Sequence, residues 1–359
     1  MIPFLQLRPG EDVAGVRAAI DRVIDRGWFV LGPEVEAFET EFATAVSAPH
    51  AVGVGTGTDA IAIALRCLGI GPGDEVITSS LSAAYSALAV MIAGARPVFA
   101  DIDPVRLTID PAAIAAAVSP RTAAILPVHL YGQPADMPAI MNVAARHDLA
   151  VVEDCCQAHL ATCQGTPVGR FGAAAAYSFY PTKNLGALGD AGALTLKDAD
   201  VAARAKRVRN GGQTDRYRHD EFGVNSRLDE LQAAILRERL RYLPSWTAAR
   251  RALARHYRSA LDGVMSVSVP PEVDPGHAYH LFPVLSDDRE SVRVRLARAG
   301  VETLIHYPVP IPRQPAVQRE QPADCPVADR ACARIFSLPL YPSLTPAMAD
   351  GVVGALRPI

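Results

Sequence analysis

The 359-residue sequence is short of several things. It has no apolar run long enough to span a bilayer. Ser86 to Ala93 ends at Gly94, whereas a spanning helix needs about 20 residues. The first residues carry neither the basic region nor the long apolar core of a secretion signal. Charge of one sign is not in excess: 35 Lys+Arg face 38 Asp+Glu, a net of -3. Nothing in that balance attracts nucleic acid, and no charge run marks a disordered tail. The sequence therefore predicts a soluble, cytoplasmic chain with neither nucleic acid nor membrane as a partner. Cysteines are few and scattered: Cys155 and Cys156 are adjacent, Cys163 is near them, and Cys67, Cys325 and Cys332 stand apart. Without a CxxC pair or a disulfide framework, buried reduced thiols are expected and no metal site.

What is present is an ordinary globular balance, 50% hydrophobic and 20% charged, enough for one large and one smaller domain. Helical spacing runs from Val13 to Phe42, interrupted at Gly32-Pro33. Short apolar runs follow at Ala51–Val54, Glu75–Thr78, Pro97–Ala100, Ala124–Val128, Ala150–Glu153, Ala175–Phe179 and Ala193–Leu196. Amphipathic segments lie among them, including Asp59–Leu68, Ser82–Ile92 and Met137–Arg146. Buried strands alternating with helices predict an α/β fold with a mainly parallel, seven-stranded sheet covered on both faces. Leu228–Leu261 reads as helical with a break at Pro244. Strands are expected near Tyr279–Leu285 and Glu302–Ile305, in a smaller α+β unit running to Ile359. The boundary is expected near residue 240, giving domains 1–240 and 241–359.

Three stretches carry chemistry. In Ser178-Phe179-Tyr180-Pro181-Thr182-Lys183-Asn184-Leu185-Gly186, a strand leads to one lysine among apolar and glycine-rich neighbours. Burial there would lower the amine's pKa and make it the nucleophile an aldehyde needs. From residue type alone, a solvated lysine is the commoner case. In Val151-Val152-Glu153-Asp154-Cys155-Cys156-Gln157-Ala158-His159, two carboxylates end an apolar strand, where open α/β sheets bind ligands. Asp154 could hold a ring nitrogen protonated or cap the following turn, and His159 alone reads as a structural histidine. In Gly53-Val54-Gly55-Thr56-Gly57-Thr58-Asp59-Ala60, glycines open a helix whose N-terminus favours a phosphate. Thr58 stands where a dinucleotide fingerprint from Gly53 would need glycine, and Ala60 where one from Gly55 would, so the pattern suits a single phosphate better than NAD. Together these stretches supply a phosphate cup, an acidic ring partner and a reactive lysine.

In this order the motifs resemble the DegT/StrS group of pyridoxal 5'-phosphate (PLP) sugar aminotransferases, with the aspartate aminotransferase-like (type I) fold. The likeness includes Gly27-Trp28-Phe29-Val30-Leu31-Gly32-Pro33, Gly73-Asp74-Glu75, Leu130-Tyr131-Gly132-Gln133, Asn225-Ser226-Arg227-Leu228-Asp229-Glu230, His306-Tyr307-Pro308 and Ser337-Leu338-Pro339-Leu340-Tyr341-Pro342. The resemblance implies that Lys183 carries PLP and that Asp154 partners its pyridine nitrogen. It implies that Gln157 contacts the ring oxygen and that Gly57, Thr58, Asp59 and Ser178 hold the phosphate. Asn225 would reach the phosphate of the other subunit, within a homodimer of shared active sites, and Arg227 would face the same place. Trp28, His306 and Tyr307 would meet the substrate. The expected activity is transfer of an amino group from glutamate or glutamine to a dTDP- or UDP-linked 3- or 4-keto-deoxysugar. A cyclitol ketone is the minority substrate. The opening Ile2-Pro3-Phe4-Leu5-Gln6-Leu7 resembles relatives that make 3-amino sugars. The chain departs from the family twice: Ala83 replaces the usual ring-stacking aromatic, so that either Tyr85 takes over contact with the cofactor ring or the ring packs differently, and Pro312 replaces a histidine after His306-Tyr307-Pro308. The competing readings are a PLP dehydratase, a non-catalytic regulator of the same fold, and an NAD-dependent oxidoreductase.

Overall fold

A computed structural model describes residues 1–7, 10–318 and 323–357; the expected end of the C-terminal unit at residue 359 lies outside them. The seven apolar runs become the strands β1 (His50–Val54), β2 (Glu75–Ser79), β3 (Arg96–Ala100), β4 (Thr122–Leu126), β5 (Ala150–Asp154), β6 (Ala174–Ser178) and β7 (Gly192–Leu196). They form one sheet in the order β1-β7-β6-β5-β4-β2-β3. Every pairing is parallel except the two made by β7, which runs antiparallel to both β1 and β6. The chain between β6 and β7 has no helix to carry it back across the sheet, so β7 returns in the opposite direction.

Along each strand alternate residues enter opposite cores. Ile77, Ile125, Val151 and Ala175 pack on one side with α2 (Pro33–Ala45), α5 (Pro111–Ala117) and α6 (Met137–His147). Val76, Ala124, Val152 and Ala174 pack on the other with α3 (Gly57–Cys67) and α7 (Ala199–Val208). The helical pattern from Val13 divides into α1 (Val13–Arg26) and α2 around Gly27, which ends α1 in the left-handed region at φ 68. Helix α2 starts at Pro33. Its N-terminus is closed by the buried Glu230 carboxylate, which accepts from Gly32 N, Glu34 N and Val35 N at 2.8–2.9 Å. Glu230 opens α8 (Glu230–Leu240), so two helices distant in sequence are fastened end to end.

The break expected at Pro244 falls at Arg241-Tyr242, and Pro244 lies in the first turn of α9 (Leu243–Ala260), where no N–H is needed. Beyond it, β8 (Phe282–Leu285) and β9 (Ile335–Leu338) pair antiparallel, and helices Arg289–Arg298, Pro326–Arg334 and Pro346–Leu356 surround them. The strand expected at Glu302–Ile305 does not form. Val301 pairs with Ile2, whereas Leu304 pairs with Ser337, and backbone divided between two neighbours builds no ladder. The first residues of the chain thus lie against its last quarter. Among the described residues no helix is long and apolar enough to cross a membrane.

Candidate active site

The turn after β1 is held from several sides. Glu39 accepts from Gly53 N at 2.9 Å, and Arg209 Nη1 donates to Gly53 O at 2.6 Å. Ser226 Oγ accepts from Gly55 N at 2.9 Å and donates to Asp59 Oδ2 at 2.8 Å. Thr56 caps α3, its Oγ1 accepting from Asp59 N at 3.0 Å. The N–H groups of Gly57 and Thr58 belong to the first helical turn, which has no intrahelical acceptors, at the positive end of the helix. A Cβ at Gly57 would stand 2.8 Å from both Cys156 Sγ and Ser178 Cβ. One at Gly192, on β7, would stand 2.3 Å from the Thr56 carbonyl carbon. Backbone packs on backbone here, and the cup meets Ser178 directly.

At the end of β5, Glu153 and Asp154 point to opposite faces of the sheet. Glu153 is spent inside the protein: Gly169 N, Phe171 N and Gly172 N donate to it at 2.7–2.8 Å. His129 Nε2 pairs with it at 3.2 Å, while His129 Nδ1 accepts from Ala135 N. Asp154 faces the site. Its Oδ2 accepts from Ser86 Oγ at 2.7 Å and its Oδ1 from Cys156 N at 3.1 Å. The turn-capping and ligand readings of Asp154 are therefore compatible, since each oxygen has a second lone pair.

The loop after β6 presents Lys183. Lys183 N donates to Tyr180 O at 2.8 Å, Asn184 Nδ2 donates to Ala278 O at 3.0 Å, and Asn184 Oδ1 meets His280 Nδ1 at 3.2 Å. The lysine is only partly covered, because it lines a cavity of about 500 Å³ shared with Asn184, Trp246 and Arg250. Burial within the site still holds its amine below the ordinary lysine pKa, against the opposing pull of Cys156 and Asp154. Three imidazoles within its electrostatic reach stay neutral, chiefly because they too are buried. His159 falls to about 3, His306 to about 4, and His280 well below the usual value. His159 has no partner on either nitrogen among the described residues and sits beside Tyr177 and Phe179.

Gln157 links the sheet to the C-terminal part. Its Oε1 accepts from Tyr131 N at 2.8 Å and its Nε2 donates to Tyr307 Oη at 3.0 Å. Burial pushes the Tyr307 phenol up to about 12. Tyr131 Oη donates to His306 O at 2.5 Å, and His306 Nδ1 meets Ser337 Oγ at 3.0 Å. Tyr85 opens α4 (Tyr85–Ile92) and is 65% exposed.

Of the residues singled out in the sequence, Gly57 packs on Ser178, with Thr58 and Asp59 in the same helical turn. Asp154 lies within electrostatic reach of Lys183, and Gln157 bonds Tyr307. Among the described residues, no hydrogen bond or ion pair joins Trp28, Asn225 or Arg227 to that cluster. Trp28 Nε1 donates to Val30 O, Asn225 pairs with Asn210, and Arg227 Nη1 donates to Asn210 Oδ1 at 3.1 Å. Nothing in the sequence assigns a role to Ser86 or Ser226. Both are small hydroxyls beside named residues, and only the fold reveals their partners.

A family model described as the DegT/DnrJ/EryC1/StrS aminotransferase family matches residues 12–357. A dTDP-3-amino-3,4,6-trideoxy-alpha-D-glucose transaminase of Streptomyces venezuelae is 46% identical over 99% of this chain and 95% of its own. A UDP-N-acetyl-3-dehydro-alpha-D-glucosamine 3-aminotransferase of Acidithiobacillus ferrooxidans is 42% identical over 96% of this chain and 94% of its own. The structure of S. venezuelae DesV in complex with a ketimine intermediate superimposes with a TM-score of 0.96, at 46% identity, covering 99% of this chain and 97% of that one. On the strength of a match running from residue 12 to residue 357, this chain belongs to the DegT/DnrJ/EryC1/StrS aminotransferase family.

Proposed function

We propose that the chain is a PLP-dependent aminotransferase that moves an amino group from glutamate or glutamine to the keto carbon of a nucleotide-linked deoxysugar. The observation that carries this reading is the meeting of Lys183 and Asp154 at the carboxyl ends of the neighbouring strands β5 and β6, beside the cup of α3.

The side chains present suit PLP. The free N–H groups of Gly57 and Thr58, with Ser178 against them, would receive its phosphate, Asp154 its ring nitrogen, and Gln157 its ring oxygen. When bound, PLP supplies an aldehyde that captures amines and a protonated ring that draws electrons from the adjacent carbon. Lys183 Nζ, its basicity lowered by burial, would accept the proton from the donor's α-carbon and later return one to the sugar carbon that bore the ketone. A base positioned in this way contributes about 10²- to 10⁴-fold. Asp154, fixed by Ser86 and Cys156 N, would keep its partner nitrogen protonated throughout. The neutral imidazoles of His159, His280 and His306 add no charge to compete with Lys183. Trp28, His306, Tyr307 and Arg227 would line the sugar side.

The working form is a cytoplasmic homodimer. Trp28, Phe29, Val30, Tyr85, Tyr180 and Leu188 are large apolar side chains left exposed on one chain. Asn225 and Arg227 stand unlinked to their own site, as residues serving a partner's would. The chain divides near residue 240, where α8 and α9 meet, and the apolar core around Leu253, Phe282, Leu338 and Leu356 belongs to the smaller unit. Supporting the sugar substrate are the transaminases acting on dTDP- and UDP-linked sugars at 42–46% identity.

The test begins with PLP reconstitution. The protein should turn yellow, lose its colour with L-glutamate and regain it with a dTDP-linked 3-keto sugar, while Lys183→Ala should do none of these. A wild-type protein that takes up no PLP would sink the reading.

A further inference from the structure

Glu153 and its partner His129 are fully buried on the face of the sheet opposite the Asp154 carboxylate. Each Glu153 oxygen accepts twice: Oε1 from Phe171 N and Gly172 N, at 2.8 Å each, and Oε2 from Gly169 N at 2.7 Å and His129 Nε2 at 3.2 Å. That fills the lone-pair sites of a carboxylate. Ala135 N donates to His129 Nδ1 at 3.1 Å, so the ring proton belongs on Nε2, where it meets Glu153. The sulfur of Cys155 lies within 4.8 Å of both groups, a spacing that suits a metal. The carboxylate has no lone pair left to give, and burial pushes the Cys155 thiol's pKa up, away from the thiolate a metal takes. The trio is a bonded core.

His129 also bonds Asp154 through the backbone. His129 N donates to Asp154 O at 3.1 Å, and Asp154 N donates to Pro127 O at 2.8 Å. The ladder between β4 and β5 runs only through Ala124–Ala150 and Ile125–Val151. At the site end those two bonds, made around Val128, take its place. The result is a closed circuit. It passes from the Glu153 carboxylate to the His129 ring, from the His129 backbone to the Asp154 backbone, and through the shared peptide back to Glu153.

We propose that His129 is a positioning residue for amino transfer: through this circuit it fixes the backbone of Asp154, and with it the direction in which the Asp154 carboxylate meets the cofactor's ring nitrogen. This rests on the aminotransferase reading, which needs that nitrogen held protonated. Ser86 and Cys156 N hold the carboxylate itself. His129 holds the residue that bears it and acts on the reaction only through that residue. A misplaced carboxylate keeps the ring proton less well. A positive ring lowers the pKa of any other cationic group joined to it, so losing that charge raises the pH at which the bound cofactor's colour changes.

Two variants divide the bonding of the ring. His129→Asn keeps an acceptor for Ala135 N where Nδ1 stood but is too short to reach Glu153. His129→Gln puts an amide donor where Nε2 stood and gives up the bond to Ala135 N. The PLP-loaded proteins are titrated with pH while their absorbance is followed. In His129→Asn the midpoint of the colour change should rise by about one unit. Its kcat/KM should fall about tenfold, with KM for the donor within about twofold of wild type. His129→Gln, which restores the donor to Glu153, should keep its midpoint within about 0.3 unit of wild type. A wild-type midpoint in His129→Asn, or an equal shift in both variants, would overturn the proposal. Should neither variant fold, the wild type without cofactor decides. Nitrogen-15 shifts that place the His129 proton on Nε2 support the circuit, and a proton on Nδ1 breaks it. If the wild type takes up PLP and the two variants do not differ, only this inference fails; a wild type that takes up no PLP fails the broader reading.

Discussion

Removing the Ser86 hydroxyl should loosen the carboxylate on which the site depends. Ser86 and Asp154 are both buried, and their bond is short, at 2.7 Å. A hydrogen bond to a charged group contributes about 1.5–3 kcal/mol. Ser86→Ala deletes the donor and strands no new one, leaving Cys156 to steady Asp154 through its N–H. If the full value is felt in the transition state, kcat/KM falls about 10- to 150-fold, at about 1.4 kcal/mol per tenfold. The same loss appears in the protein without cofactor. At about 2.1 cal/mol/K per residue, 359 residues have an unfolding entropy near 0.75 kcal/mol/K, so Tm drops by about 2–4 °C. Steady-state kinetics at saturating cofactor and differential scanning calorimetry of the cofactor-free protein measure the two effects. A variant with kcat/KM within about twofold of wild type and Tm within about 1 °C would refute the view that Ser86 fixes Asp154.

His159 yields an acid-stability prediction. Its folded pKa, about 3, lies below the ordinary 6.5, so the unfolded chain takes up the proton first. The stability it contributes is whole above about pH 6.5 and drains away as pH falls towards 3, by up to about 5 kcal/mol. His159→Leu should therefore shift the acid-unfolding midpoint, followed by circular dichroism, to lower pH; coincident curves would contradict this. Glu230→Gln keeps the shape of the α2 cap but replaces one acceptor oxygen with a donor facing an N–H. Losing one charge-assisted bond and the dipole interaction costs about 2–4 kcal/mol, a Tm decrease of about 3–5 °C by calorimetry. An unchanged Tm would mean that the cap is dispensable.

The sheet was legible because its strands are apolar on both faces, and such runs announce themselves locally. The direction of β7 was not, because Gly192–Leu196 reads the same whichever way it runs. Glu302–Ile305 has the composition of a strand but meets two different neighbours. The lysine, the aspartate and the glycine cup were each visible as short motifs at strand ends. What supports them was not: Ser86 lies 68 residues from Asp154, and Ser226 lies 171 from Gly55. Glu230 is legible only as part of a resemblance, because its three backbone partners lie 195 to 198 residues away.

The bare α-carbon at Gly192 sets a boundary on what this scaffold can become. Any methyl there would drive into the peptide preceding the first turn of α3, so that either that turn or β7 would have to shift. Loops on the sugar side can lengthen, shorten or exchange chemistry without touching that wall. New acceptors can therefore be tried at the mouth, while the depth at which the cofactor would rest is dictated from behind by a residue that has no side chain to offer.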